Sequence, residues 1–170
     1  MTLSSGILLF VTVQRLCELV LAQRNTSRLL AAGAIEAGRG HYPVMVALHA
    51  AWLAALWFQG WNRPVNLTLL AVFAVMQALR VWVIASLGGR WTTRIIVLPD
   101  APLVTKGPFR FVRHPNYCIV TAEIALLPLA LGLTGTAIVF SILNAAMLTV
   151  RIGCENRALA KASAANGPAL

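Results

Sequence analysis

The chain has 170 residues, of which 59% are hydrophobic and only 11% are charged. Soluble domains carry about 25% charged residues, so this composition and a mean hydropathy of +0.77 exclude a typical soluble protein, a disordered chain and a nucleic-acid-binding domain. The formal net charge of +9 must then be explained by where the basic residues lie relative to the apolar runs. Cys17, Cys118 and Cys154 are scattered, so we expect free thiols and neither a disulfide nor a metal site.

Five apolar runs approach the length of about 20 residues that a membrane helix needs. They cover residues 3–22, 42–60, 65–87, 117–133 and 135–152. Backbone polar groups must be paired internally in lipid, so these runs predict helices, and the glycines of LGLTG predict a tight turn between the last two. The sequence thus predicts an all-α integral membrane protein of one domain, residues 1–170, with a polar loop at 88–116 and a C-terminal helix at 153–165.

The basic residues are distributed as the positive-inside rule requires. Ten of them fall in the first loop, the third loop and the C-terminal segment: Arg24, Arg28, Arg39, Arg90, Arg94, Lys106, Arg110, Arg113, Arg157 and Lys161. The opposite side has Arg63 alone. This bias predicts an integral membrane protein with its N-terminus outside and its C-terminus in the cytoplasm. It also accounts for the positive charge without a nucleic-acid partner.

Ionisable residues inside membrane helices are costly and are functional candidates by default. Arg15 and Glu18, in the first span, are three residues apart and can pair. Arg80, in the third span, either snorkels to the interface or orients a substrate. Glu123, in the fourth span, must be protonated or paired. One face of the first helix also carries several polar residues, at Gln14, Glu18 and Asn25.

A polar stripe runs along the fifth span towards its cytoplasmic end. Asn144, Leu148, Arg151 and Glu155 are spaced i, i+4, i+7 and i+11, so they share one helix face. A surface ion pair explains Arg151 and Glu155, which are four residues apart. It does not explain Asn144, which lies near the middle of the membrane.

The loop at 88–116 is the densest polar segment. Its IIVLPDAPLV part predicts a short hairpin or extended excursion, with a turn at Pro99–Asp100. Pro115 fixes an extended backbone at His114 before the fourth helix begins. The segment RHPNY brings a guanidinium, an imidazole and a phenol to the cytoplasmic mouth of the bundle, which suits an anionic or zwitterionic cofactor with an aromatic base. The alternative is a basic patch that meets anionic lipid head groups.

These motifs resemble the isoprenylcysteine carboxyl methyltransferase family. The residues that carry the resemblance are Gly107, Pro108, Phe109, Arg113, His114, Pro115 and Tyr117, followed after two spans by Glu155 and Leu159. The chain departs from the prenylcysteine enzymes at Ile119, where they usually have glycine, and at Asn156, where they often have a second glutamate. The segments EAGRGHYPVMVALH and LGGRWTTRIIVLP, and Glu123 with the following LLP, are similar to a bacterial subgroup that O-methylates long-chain alkylpyrones and alkylresorcinols.

The resemblance implies that S-adenosylmethionine is the methyl donor and binds at the cytoplasmic end. It implies that Glu155 holds the ribose hydroxyls or the amino group of the donor and that Leu159 packs near the adenine. The other residues of its pocket are implied to be Gly107, Pro108, Arg113, His114, Pro115 and Tyr117. The acceptor is implied to be a lipophilic molecule that enters sideways from the membrane.

The sequence leaves the group that handles the acceptor open. A carboxylate acceptor needs only an orienting cation, for which Arg80 and Arg151 are candidates. A phenolic or enolic hydroxyl must lose a proton, for which Glu123, His41 and His49 are candidates. Prenylcysteine carboxyl methylation and lipid-amine N-methylation are alternatives within methyl transfer. Outside it, an NADPH-dependent sterol or steroid reductase and a non-catalytic lipid-binding module share the predicted topology.

Overall fold

The computed structural model describes residues 2–99, 101 and 104–165. Five α-helices account for most of the chain: α1 (Leu3–Ala31), α2 (Tyr42–Gly60), α3 (Leu67–Leu87), α4 (Pro115–Ala130) and α5 (Thr134–Ala165). Within the described residues, α1, α3, α5 and the segment Arg39–Gly60 that includes α2 are long and apolar enough to cross a membrane. The expectation of an all-α membrane protein is therefore confirmed, with four helices of spanning length and α4 as a shorter apolar helix of 16 residues.

The helix ends follow local sequence signals. Thr2 caps α1 and Asn66 caps α3, because each side-chain oxygen accepts a hydrogen bond from the backbone amide three residues on. A glycine turn ends α4: Gly132 has a positive φ of 71°, and the Leu133 amide donates to the Pro128 carbonyl at 2.8 Å. Helix α5 continues to Ala165, so the predicted C-terminal helix at 153–165 is the end of α5 and not a separate element.

A small sheet joins the first and third loops. Strand β1 (Ile35–Ala37) pairs antiparallel with β2 (Ile95–Val97), with Glu36 opposite Ile96. The sequence predicts a short hairpin or an extended excursion for IIVLPDAPLV, and its strand β2 pairs with a segment some 60 residues earlier in the chain. Asp100, from the predicted turn, lies outside the described residues. The sheet places the two loops at one end of the bundle.

The bundle interior is layered. One buried apolar cluster fills the half nearer the α4–α5 turn: Leu8, Val11, Trp52, Leu56, Phe73, Ile124, Leu127, Leu131 and Leu133. A smaller one lies nearer the sheet: Ala22, Val83, Trp91 and Ile119. Between the two, α1, α3 and α4 contribute the buried charged side chains of Glu18, Arg80 and Glu123. Most large exposed side chains on the helices are apolar, as lipid contact requires.

Candidate functional site

Contacts between the first and third loops build the rim of the candidate site. Arg94 donates to Glu36 at 2.7 Å and its guanidinium lies 4.3 Å from the ring centroid of Tyr42. The hydrogen bond to Glu36 holds the pKa of Arg94 above its usual value. Arg39 also pairs with Glu36 at 3.2 Å, and the Tyr42 hydroxyl lies 3.1 Å from Thr93 Oγ1. One carboxylate therefore fixes basic residues from both loops beside the N-terminus of α2.

The segment GPFR packs against α3. It forms a short 3-10 helix, Gly107–Arg110, in which Pro108 is buried. Gly107 has a φ of +63°, and a Cβ at this position would lie 2.3 Å from Ser86 Oγ. A larger residue would therefore separate the loop from α3 as well as strain the backbone. Of the basic residues after this turn, Arg113 is exposed and His114 is half-buried.

Tyr117, in the first turn of α4, joins two charged side chains of α5. Its hydroxyl donates a hydrogen bond to Glu155 Oε2 and accepts one from Arg151 Nε at 3.0 Å. The predicted direct ion pair between Arg151 and Glu155 is thus replaced by a bridge through the phenol. His114 stacks on the Tyr117 ring with 5.4 Å between centroids, and its Nδ1 lies 4.0 Å from Glu155 Oε2. The structure brings these four residues of the sequence prediction together.

Arg151 is held on three sides. Besides Tyr117, its guanidinium donates to the Thr93 carbonyl at 2.7 Å and to Met45 Sδ at 2.9 Å. The side chain is buried, at 6% exposure. Arg151 therefore links α2, α4, α5 and the third loop. Because these contacts hold the guanidinium in one position, its hydrogen bond orients the Tyr117 hydroxyl.

Arg80 and Glu123 lie in a different place, in the charged layer between the apolar clusters. Arg80 donates two hydrogen bonds to Glu18, at 2.6 and 2.8 Å, and one to Glu123 at 2.7 Å. Arg15 donates to the same carboxylates at 3.0 and 2.8 Å. Arg80 thus faces the bundle and does not snorkel. The four side chains neutralise one another, as buried charges in lipid must.

This arrangement bears on two of the predicted catalytic roles. Glu123 Oε2 accepts hydrogen bonds from both guanidinium groups, whereas Glu123 Oε1 is buried and has no hydrogen-bond partner among the described residues. Arg80 uses three of its donors on carboxylates of the protein itself. Through these ion pairs both side chains contribute to the packing of α1, α3 and α4.

The remaining predicted residues surround the Tyr117 cluster less tightly. Pro115 is buried at the first position of α4, and Leu159 is half-buried on the last turns of α5. His41 ends a 3-10 turn in the first loop and packs on Gly38, where a Cβ would lie 2.1 Å from its ring. Asn116 was not singled out by the sequence analysis. Its Oδ1 atom is buried and has no hydrogen-bond partner in the described part of the chain.

Sequence reasoning also missed the residues that support the cluster. Thr93 acts through its backbone carbonyl, for which side-chain identity gives no signal. Met45 could have been found from helical periodicity. Four residues of α2 share one helix face because they are spaced three or four apart: Tyr42, Met45, His49 and Trp52. None of these four side chains is fully exposed, so this face of α2 lies against the bundle.

The polar groups fit S-adenosylmethionine. The Glu155 carboxylate and the unpartnered Asn116 Oδ1 are acceptors, suited to the amino and hydroxyl groups of that molecule. His114 and the exposed Arg113 are suited to its carboxylate. Groups of three or more His, Cys, Asp or Glu residues that would suit a metal ion are absent from the described residues.

Comparison with known proteins shows the family of the chain. Residues 68–161 match the isoprenylcysteine carboxyl methyltransferase (ICMT) family. The chain is 39% identical over 152 residues to the uncharacterized protein YpbQ of Bacillus subtilis, covering 86% of this chain and 90% of YpbQ. It is 30% identical over 151 residues to an uncharacterized protein of Haemophilus influenzae, covering 85% and 88%.

No solved structure matches the chain. The matched region begins in α3 and ends in the last turns of α5. It therefore contains the GPFR turn, the RHPNY segment and the Tyr117–Arg151–Glu155 cluster. The chain belongs to the isoprenylcysteine carboxyl methyltransferase family of membrane methyltransferases.

Proposed function

We propose that the protein is an S-adenosylmethionine-dependent O-methyltransferase whose acceptor is a lipophilic hydroxyl compound. The observation that carries the proposal is the half-exposed Glu155 carboxylate, held by Tyr117 beside His114 at the end of the bundle. These residues lie within the region that matches the family, residues 68–161.

Individual residues of the chain have distinct tasks in this proposal. Glu155 and Asn116 accept hydrogen bonds from the hydroxyl or amino groups of the donor, and Arg113 and His114 contact its carboxylate. Leu159 packs near the adenine. When bound, S-adenosylmethionine supplies an electrophilic methyl group. Tyr117 and Arg151 fix the Glu155 carboxylate, and such positioning accounts for much of the rate in transfer reactions of this kind.

The proposed acceptor is a long-chain alkylpyrone or alkylresorcinol. The resemblance of the first loop and of GGRWTTRIIVLP to the bacterial subgroup supports this choice. The exposed apolar faces of the helices support lateral entry of an alkyl chain. Each CH₂ removed from water gains about 0.8 kcal/mol, and the gain is similar in the membrane and in the protein, so the chain has no reason to pass through water. We place the site on the cytoplasmic side, where the positive-inside rule puts the two basic loops.

Calorimetric titration of detergent-purified protein tests the cofactor assignment. We expect saturable binding of S-adenosylmethionine to the wild type, and its loss in Glu155→Gln. Arg157→Gln is the matched control, since Arg157 is an exposed neighbour on α5 and its replacement leaves the carboxylate in place. NADPH is titrated in parallel.

Each outcome decides between functions. Binding of the methyl donor that Glu155→Gln abolishes and Arg157→Gln retains supports the proposal. NADPH binding alone would favour a membrane reductase. Binding of neither ligand to folded protein would favour a non-catalytic lipid-binding module, and full activity of Glu155→Gln would refute the cofactor site.

A further inference from the structure

A second set of polar side chains lies deeper in the bundle, between α2 and α5. Two contacts fix the register of these antiparallel helices: Arg151 with Met45 near the loops, and Thr136 Oγ1 with Gln59 at 3.0 Å near the opposite end. Moving one turn inward from the first contact brings His49 on α2 level with Met147 on α5. His49 thus lies between Arg151 and Asn144, about one turn from each.

The hydrogen bond of His49 determines its tautomer. Its Nδ1 lies 2.9 Å from the backbone carbonyl of Met45, and a carbonyl oxygen only accepts. The proton of a neutral ring therefore sits on Nδ1, which leaves the lone pair on Nε2. Nε2 has no hydrogen-bond partner among the described residues. The helix itself thus presents a proton acceptor inside the membrane.

Asn144 completes this set from the other helix. Its side chain is buried, at 1% exposure, and its Nδ2 has no hydrogen-bond partner in the described part of the chain. A buried amide donor without a partner is costly and calls for a ligand or a functional explanation. The family motifs and the Tyr117 cluster do not use it.

The charges around His49 come from several helices. Arg15 of α1, Arg80 of α3 and Arg151 of α5 all interact electrostatically with its ring. Glu18 and Glu123 neutralise Arg15 and Arg80, whereas Arg151 lies at the Tyr117 end of the interhelical space. The guanidinium of Arg151 would therefore stabilise an oxygen anion that formed beside His49, since the medium has a low dielectric constant.

We propose that His49 and Asn144 form the acceptor subsite, in which His49 Nε2 removes the proton of the acceptor hydroxyl and Asn144 donates to a second oxygen of the same ring. The subsite rests on the proposed methyltransferase function and names its substrate class: an enol or phenol with a further oxygen on the ring and an alkyl tail. The acceptor O–H bond breaks and its proton moves to Nε2. The oxygen lone pair forms the O–CH₃ bond as the bond between methyl and sulfonium breaks, and the proton later leaves the imidazolium to solvent.

A binding experiment without the methyl donor tests proton acceptance directly. A long-chain alkyl nitrophenol changes colour on ionising, so its titration reports the pH at which the bound probe loses its proton. In the wild type we expect the bound probe to ionise at lower pH than in detergent micelles alone. In His49→Asn, whose amide can still donate to the Met45 carbonyl, we expect ionisation at a pH at least one unit higher than in the wild type. Equal ionisation in the two proteins would overturn the proposal.

Turnover of an alkylresorcinol gives the second readout. For His49→Asn we expect kcat to fall by roughly 100- to 10,000-fold, as for loss of a general base, with S-adenosylmethionine binding intact and the acidic limb of the pH profile gone. Thr149→Ala, on an exposed face of α5, is the control. An unchanged kcat and pH profile in His49→Asn would refute its role.

Asn144→Leu separates acceptor binding from proton transfer. We expect its KM for the alkylresorcinol and its Kd for the nitrophenol to rise about tenfold, the size of one lost hydrogen bond, with the pH profile retained. Unchanged KM and Kd would remove Asn144 from the subsite. If the wild type transfers no methyl group to any hydroxyl acceptor, the proposed function fails. If the wild type transfers the methyl group and the His49→Asn and Asn144→Leu variants do so equally well, only the proposed subsite fails.

Discussion

The buried charged layer makes a quantitative prediction about stability. Arg80→Met removes three charge-assisted hydrogen bonds, two to Glu18 and one to Glu123. Arg15 remains bonded to both carboxylates, so one positive charge is left to balance two negative ones. Breaking a buried pair from one side costs about 3–5 kcal/mol. We expect the free energy of unfolding of Arg80→Met to fall by about that amount.

A second substitution shows whether the cost comes from the pairing itself. Glu123→Gln removes one of the two carboxylates that pair with Arg80 and Arg15. We expect this single substitution to lower the free energy of unfolding by about 3 kcal/mol or more. The double variant Arg80→Met/Glu123→Gln restores charge balance between Arg15 and Glu18. We therefore expect it to be more stable than the sum of the single effects predicts, by about 1–3 kcal/mol.

Reversible unfolding in mixed micelles, followed by circular dichroism, measures these free energies. Arg94→Met is the matched control, since Arg94 pairs with Glu36 in the loops with its side chain 40% exposed. Such an exposed pair contributes about 1 kcal/mol or less. Strict additivity of the two single variants, or a loss in Arg80→Met no larger than in Arg94→Met, would refute the view that the layer is a coupled ionic network. An altered pH profile of methyl transfer in Glu123→Gln would return Glu123 to the mechanism.

Three further predictions concern the end of the bundle that carries the first and third loops. Tyr117→Phe removes the hydroxyl that bridges two charged side chains, so we expect S-adenosylmethionine to bind about tenfold more weakly by calorimetry; unchanged affinity would show that the bridge does not orient the site. Gly107→Ala should lower both the melting temperature and cofactor affinity, and Ser86→Gly should partly restore them, because it removes the atom that the new Cβ would meet at 2.3 Å. Asn25→Ala leaves the carbonyl of buried Trp91 without its 2.9 Å donor, so we expect a loss of about 1–3 kcal/mol in unfolding free energy, and none would contradict this contact.

The sequence alone determined the class of the protein and the positions of its helices. Apolar runs of about 20 residues predict membrane helices because lipid offers the backbone no hydrogen-bond partners. A local signal also located the turn between α4 and α5 at the LGLTG glycines, since a glycine turn depends on residues only three or four apart. The motif residues His114, Tyr117 and Glu155 were found because they match the pattern of a known family.

Only the tertiary structure decided which polar groups meet. The spacing within α1 predicts that Arg15 and Glu18 are neighbours. It cannot indicate that Arg80, 62 residues from Glu18, donates two hydrogen bonds to that carboxylate. Likewise β2 pairs with β1 because the first and third loops emerge at the same end of the bundle. Local periodicity fixes the face on which a side chain lies, whereas its partner depends on how the helices pack. In the membrane interior that choice is strongly constrained, since every charge left without a partner there costs about 3 kcal/mol or more, and this constraint places Glu123 with Arg15 and Arg80.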